Sequence, residues 1–388
     1  MSIRQLSILI FVFFTALNSG FAFGADKAPV LVGIDGEFGL ENSTSAQAIE
    51  LGVRIAVAQI NEAGGVLGGR PLEVVTKDHR SIPARGIRNI EEFDAMPNVV
   101  AIFGGRFSPV VIEQLPVLKA AKLPFLAVWS AADAIVDNGT NPNYAFRLSL
   151  RDSLAMPFLL KSAKDRGISR VGLLLTNTSW GRSNHAAADK YSAANSLPRI
   201  VSTVWYNWQE PSLIERYRKL TDAGAEAVVL VANDDEAATL VREVAALPRE
   251  KRVPIISHWG ITGGRFVQGA GPALKEVDFS VIQTFSFFQA AEEPLDKFML
   301  TARNFGVQRI EDIQSPVGVA HAYDMTHILA RAINIAGSTD RAAVRDALEK
   351  VKTYDGLVKR YAPPFTRTRH EALGPEQLLM ARWFQSQT

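Results

Sequence analysis

The chain has 388 residues, with 42 Lys+Arg against 40 Asp+Glu and no cysteine. Hydrophobic residues at 47% and charged residues at 21% exclude a disordered or collagen-like chain, and the length predicts two lobes rather than one core. A net charge of +2 offers no basic field for nucleic acid, and the missing cysteines exclude disulfide scaffolds, thiolate metal sites, Fe–S clusters and cysteine nucleophiles.

Arg4 is the only charged residue before Asp26 and precedes an apolar run from Leu6 to Leu17, too short to span a bilayer comfortably. Gly20 and Ala22 form a small-residue −3/−1 pair, and Ala25 is a second cleavage end. Residues 1–25 therefore read as a secretory signal peptide. No cysteine follows it to carry a lipid, and no later segment is apolar and long enough for a transmembrane helix. The mature protein is expected to be soluble and exported, without direct membrane insertion.

Val30–Ile34 reads as a short buried strand. A helix follows over Ser45–Ala63, with Ile49, Val53, Ala56 and Ile60 on one face and Gly64-Gly65 as its stop. Strands are predicted at Leu72–Thr76, Val99–Phe103 and Phe125–Val128, with helices at Pro83–Phe93 and Pro109–Ala121 between them. A second series has strands at Val171–Leu175, Ile200–Tyr206, Ala227–Val231 and Pro254–Ser257. Its helices are predicted near Ser153–Arg166, Arg182–Asn195, Ser212–Ala223 and Asp235–Ala246. Beyond Val281 the pattern is mostly helical, at Pro294–Phe305, Val317–Ala336 and Asp340–Lys352. Alternation of strand and helix predicts an α/β fold with parallel sheets flanked by helices, in two lobes broken near Pro142–Asp152.

Catalytic signatures are sparse. Ala63–Arg70 (AGGVLGGR) follows a helix, whereas a phosphate-cradling loop precedes one, so it reads as a helix stop and turn. Neither G-x-G-x-x-G nor G-x-S-x-G occurs. His321, Asp324 and His327 share a predicted helix at a spacing that spreads them over more than one face, and a structural role is favoured over metal binding. No cofactor is implied, and an enzyme is the minority reading.

Ligands of open parallel sheets sit beyond the carboxyl ends of strands. The strand Val99–Phe103 runs into Gly104-Gly105-Arg106-Phe107-Ser108-Pro109, where Ser108 is a natural helix cap and Pro109 a first helical residue. Such a helix start can hold an acceptor-rich group, or Ser108 can simply cap the helix. Trp129, Trp180 and Trp259 all fall just after predicted strands, each a lid on the core or a wall of a pocket. Three in that position favour an aromatic-walled cleft between the lobes.

With VLVGIDGEFG, INEAGGVLGGRPLEVVTKD, VVAIFGG, KLPFLAVWSAADAI and NPNYAFRLSLRD in this order, the chain resembles type I periplasmic binding proteins, specifically the leucine/isoleucine/valine-binding receptors of ABC transporters. The resemblance covers the whole mature chain. SHWGITGG and YDGLVKRYAPPFTRTRHEAL look like a sub-branch. It implies two Rossmann-like lobes joined by three crossings, near Leu148–Asp152, Gln283–Phe285 and Tyr354–Gly356, that close by hinge rotation on a ligand. The N-terminal lobe would comprise residues 26–149 and 284–353, and the C-terminal lobe residues 150–283 and 354–388.

The resemblance also implies site residues. The serine that holds the ligand carboxylate falls on Ser108. The next strand end falls on Trp129 and Ala131, where a family threonine hydroxyl is lost and Ser130 is the substitute. The aspartate after the first crossing falls on Asp152, the second-lobe aromatic on Trp180, and a second-lobe tyrosine near Asn233. The glutamate that pairs with a ligand amino group falls on Trp259, beside His258. Another acid, Asp152, Glu37 or Glu41, then takes that role, or the ligand has no primary ammonium. An organic acid, an amide or an aromatic acid is favoured, then a branched-chain amino acid, then a betaine-like cation held by the tryptophans. The implied protein is a monomeric periplasmic receptor that delivers a small-molecule ligand to an inner-membrane ABC permease. The same fold also serves as a ligand sensor reporting to a membrane kinase or regulator.

Overall fold

The computed structural model describes residues 27–382, so the expected leader, residues 1–25, lies outside the described residues. The first series of elements is β1 (Val30–Gly36), α1 (Ser45–Glu62), β2 (Leu72–Asp78), α2 (Pro83–Asp94), β3 (Val99–Gly104), α3 (Ser108–Ala120), β4 (Phe125–Ala127) and β5 (Ala145–Arg147). Its strands form a parallel sheet in the order β2-β1-β3-β4-β5. The second series is α4 (Asp152–Asp165), β6 (Arg170–Thr176), α5 (Ser179–Ala194), β7 (Arg199–Tyr206), α6 (Ile214–Asp222), β8 (Ala227–Val231), α7 (Asp234–Ala245), β9 (Ile255–Ser257), α8 (Phe266–Ala270) and β10 (Phe279–Gln283). The remainder is α9 (Glu292–Ala302), α10 (Pro316–Ala336), α11 (Arg341–Leu348), β11 (Tyr354–Asp355), β12 (Arg360–Tyr361) and β13 (Leu379–Arg382). The second sheet runs β13-β10-β9-β8-β6-β7, parallel except that β13 pairs antiparallel with β10.

Local chemistry explains most boundaries. In α1 the predicted face, Ile49, Val53, Ala56 and Ile60, is buried, and the chain leaves the helix through Gly64 and Gly65 at φ of 99° and 73°, the left-handed region glycine tolerates. Helix α1 packs on α10, and at Gly52 the missing side chain lets the α1 backbone approach the Val319 carbonyl. Helix α10 thereby belongs to the first lobe although it follows the second sheet in sequence.

Five strands, β5, β10, β11, β12 and β13, are absent from the sequence reading. β5 and β10 lack the β-branched run that marked most of the others, and β11 and β12 are two residues each. β13, Leu-Met-Ala-Arg, consists of strong helix formers, and only the open edge of β10 makes it a strand. Between α11 and β13 the chain stays on the first lobe. Asp324 of α10 accepts the N–H groups of Leu357 and Val358 and the hydroxyls of Tyr354 and Tyr361, holding the β11–β12 hairpin. Residues 370–372 then run beside β5, where the Arg147 N–H bonds the His370 carbonyl and the Ala372 N–H bonds the Arg147 carbonyl. The strand that rejoins the second sheet is β13, downstream of the crossing implied near Tyr354–Gly356. Among the described residues no helix is long and apolar enough to cross a membrane.

Candidate functional site

The carboxyl ends of both sheets face each other, and the site is assembled from the loops there. After β3, Ser108 lies inside the first turn of α3. Phe107 occupies the capping position and no side chain caps the helix, so Ser108 is not the N-cap that its sequence context suggests. Its Oγ instead accepts the N–H of Ala132 at 3.2 Å, which leaves its own O–H free to donate. This bond ties the loop after β3 to the loop after β4, which carries Trp129, Ser130 and Ala131, all fully buried. The Ala131 carbonyl accepts the N–H of Asp152 at 3.0 Å. Five of the eight expected residues thus form one bonded patch.

Asp152, the first residue of α4, is fully buried, and its Oδ1 accepts two side-chain N–H groups. One is Trp180 Nε1 at 3.2 Å and the other His258 Nε2 at 3.1 Å. His258 Nδ1 accepts the Trp259 backbone N–H at 2.9 Å, so the ring proton is on Nε2. Trp180 is not in a loop as predicted. Thr178 accepts the Gly181 N–H, α5 begins at Ser179, and Trp180 stands in its first turn with its ring edge against His258 at 5.0 Å. Trp259 reaches across to the first lobe, 5.8 Å from Trp129 and 5.7 Å from His321 between ring centroids. Asn233 caps α7 by position only, with no side-chain cap bond, and its Oδ1 lies over Gly260.

Sequence reasoning missed His258 as Asp152's partner, and it missed Arg106. The signal for His258 was its place beside Trp259 in SHWGITGG; for Arg106 it was a lone charge in a strand-end loop. Of the alternative acids, Glu41 is exposed while Glu37 is buried, with Ser45 and Ser43 hydroxyls on Oε1 and His79 Nε2 at 3.7 Å from Oε2.

The two lobes are clasped directly. Arg106 pairs with Asp234 at 2.8 Å and donates to the Gly260 carbonyl at 3.2 Å. The Thr44 N–H bonds the Gly263 carbonyl at 2.9 Å, Ser43 bridges Gly264, and Ser315 donates to the Thr262 carbonyl. Side chains at Gly263 or Gly264 would overlap Arg106 and Asp234, so the glycines of SHWGITGG permit this approach.

His321, Asp324 and His327 serve three separate contacts. His321 Nδ1 faces the Val128 carbonyl at 3.1 Å and its Nε2 faces the Thr284 hydroxyl at 3.0 Å. Asp324 holds the hairpin, and His327 joins Gln59 of α1. Burial pushes His321 down to about 4 and His327 to about 3. The folded value of His321 lies below its unfolded one, so the stability it supports is present above pH 6.5 and lost as pH falls toward 4. Burial drives Asp35 up to about 8 and Asp324 to about 7, which acts in the opposite sense over the same window. A variant comparison isolates the histidine. His321→Gln should gain on the parent by about 1.4 kcal/mol per pH unit between pH 6.5 and 4 in urea titrations. Parallel pH profiles would refute this.

Several buried atoms at the cleft have no hydrogen-bond partner among the described residues: Asp152 Oδ2, Ser130 Oγ, Trp129 Nε1, Arg106 Nε and Glu37 Oε2. Buried polar groups are normally satisfied, so these atoms call for partners beyond the described residues.

Residues 27–386 match the family model described as periplasmic binding protein. Leu/Ile/Val-binding protein homolog 1 of Brucella abortus is 25% identical over 349 residues, covering 86% of each chain. Similar solved structures include a periplasmic binding protein type 1 from Bordetella pertussis, with a TM-score of 0.83, 21% identity, and 92% of this chain and 98% of that one covered. Another is a branched-chain amino acid transporter substrate-binding protein from Streptococcus pneumoniae in complex with isoleucine (TM-score 0.72, 20% identity, 86% and 91% covered). A third is an ABC-transporter solute-binding protein from R. palustris in complex with 4-hydroxybenzoate (TM-score 0.76, 17% identity, 92% and 94% covered).

Proposed function

The chain belongs to the periplasmic binding protein family, and from that premise we propose that it is the exported, soluble receptor of an ABC importer. It captures a small polar organic molecule between its lobes and delivers it to an inner-membrane permease. The step is reversible binding in the periplasm by a monomer, without catalysis, after removal of a leader over residues 1–25. The observation that carries this reading is the set of buried, unpartnered polar atoms on Ser130, Trp129 and Asp152, where the two lobes meet. The expected site residues, Ser108, Trp129, Ser130, Ala131, Asp152, Trp180, Asn233 and Trp259, are proposed to line it, with Trp180 acting on Asp152. Relatives named for branched-chain amino acids and neighbours holding isoleucine or 4-hydroxybenzoate support a ligand of that size.

The test is native mass spectrometry of protein isolated from the periplasm, which should carry one small organic molecule per chain. A protein that retains no molecule and takes up none from a metabolite extract would overturn the receptor reading. A sharper check uses Ser130→Ala. The hydroxyl has no partner among the described residues, so unliganded melting should be unchanged, whereas ligand affinity should fall by about 1–3 kcal/mol as a bonded ligand atom loses its donor. Equal affinity would remove Ser130 from the site.

A further inference from the structure

We infer that Trp383, the residue after β13 and outside the described residues, continues that strand and seats its indole in an apolar cavity of the second lobe. The last strand is then anchored by a side chain of its own segment. This inference is independent of the receptor reading and of what the cleft binds.

The first ground is the cavity. A space of about 320 Å³ lies between α8 and the outer strands of the second sheet, and its apolar wall includes Phe266, Val267, Leu274, Phe279, Val281 and Ala381. Phe266 and Phe279 meet there at 4.9 Å between ring centroids, and Val267 is left 41% exposed. No described side chain fills the space. Its size and lining suit one large aromatic side chain, which would bury about 150–250 Å².

The second ground is register. β13 pairs with β10 as Leu379–Gln283, Met380–Ile282, Ala381–Val281 and Arg382–Ser280. Opposed residues of an antiparallel pair share a face, and successive residues alternate between faces. Val281 and Ala381 both line the cavity, so the pair two residues on, Phe279 with Trp383, falls on the cavity face. Phe279 is a lining residue already and pairs on its other side with Ile255 of β9, which leaves its outer edge for residue 383. One step of about 3.4 Å along the strand brings Trp383 there. The same alternation turns Phe384 to the opposite face, so Trp383 is the occupant.

The third ground is the thin hold on β13. Each of its four residues is half-buried or exposed, and they are helix formers rather than strand formers. This strand nevertheless returns the chain to the second sheet. One buried indole at its end supplies the apolar anchor that Leu379–Arg382 lack.

The test uses the full chain and single variants. Emission of the parent minus that of Trp383→Phe isolates this indole, which should emit as a shielded tryptophan and resist acrylamide. Trp383→Ala should raise the unfolding constant in urea about tenfold or more, as loss of a buried aromatic does, and should open the cavity to 1-anilinonaphthalene-8-sulfonate. Val267→Glu sets a charge on the cavity's exposed valine without touching the sheet, and it should make the Trp383 indole accessible to acrylamide. A difference spectrum of a fully exposed indole would overturn the inference. So would an unfolding constant of Trp383→Ala within about twofold of the parent, equal dye binding by the two, or an indole still shielded in Val267→Glu. A parent dimer in sedimentation that Trp383→Ala dissolves would give the cavity to a second copy and overturn the seat within one chain.

Discussion

Arg147→Ala should lose about 3–5 kcal/mol of folding stability, read as a lower urea midpoint, because it leaves a buried carboxylate with only the more distant Arg151, at 3.8 Å, as a charge partner. Arg147 is fully buried at the end of β5, and its Nε and terminal nitrogen grip Glu371 at 2.9 and 2.6 Å. Its other terminal nitrogen donates to the carbonyls of Ala132 and Ser130 at 2.9 and 3.4 Å. One side chain thus joins β5, the tail that runs beside it and the loop that presents Trp129 and Ser130 to the cleft. Glu371→Gln should cost less, since the amide oxygen still accepts from the guanidinium and the two carbonyl bonds survive. Arg147→Met with Glu371→Leu removes both charges and should recover part of the loss, but the Ser130 and Ala132 carbonyls stay without their donor. Any ligand affinity that the stable double variant loses then reports on the loop rather than on folding. An Arg147→Ala midpoint within about 1 kcal/mol of the parent would show that water reaches Glu371 and that the pair is not a closed unit.

The alternation of strands and helices was readable because buried parallel strands appear as compact apolar runs and α1 shows its face at helical spacing. What escaped reading depended on partners distant in sequence. β13 is a strand only because β10 offers an edge, and residues 370–372 lie along β5 through backbone bonds to Arg147 and its grip on Glu371. At the cleft, the strand-end tryptophans and Ser108 were visible as residue types in the right loops. Their bonds were not. Trp180 and His258 turn toward Asp152 rather than toward open space, and Ser108 bonds a neighbouring loop rather than its own helix. Residue type locates a loop at a strand end, whereas the hydrogen-bond partner, which decides the chemistry, is set by packing between segments that, for His258 and Asp152, lie 106 residues apart.

The second large effect concerns the balance between apposed and separated lobes. Arg106 and Asp234 come from opposite lobes, their side chains are only 5% and 3% exposed, and the guanidinium also lies 4.9 Å from the Phe107 ring. Phe107 in turn meets Trp208 of the second lobe edge-on at 5.3 Å. When the lobes separate, both charges return to water, so their contribution is to closure and not to the folding of either lobe. Arg106→Ala leaves Asp234 without its charge partner in the closed form alone, and breaking such a pair costs about 3–5 kcal/mol. At 1.4 kcal/mol per tenfold, that moves the closure equilibrium about 140- to 3,700-fold toward the open form. Apparent ligand affinity should fall with the closed fraction, since only the closed form touches ligand from both sides. Small-angle scattering should show a larger radius of gyration for Arg106→Ala, while its urea midpoint without ligand stays near the parent's. Arg106→Lys should fall between, because an ammonium can reach Asp234 but cannot also span to the Gly260 carbonyl. If Arg106→Ala keeps both the parent's radius of gyration and its affinity, the glycine-lined contacts of Thr44, Ser43 and Ser315 and the aromatic contacts across the cleft hold the lobes together without the ion pair.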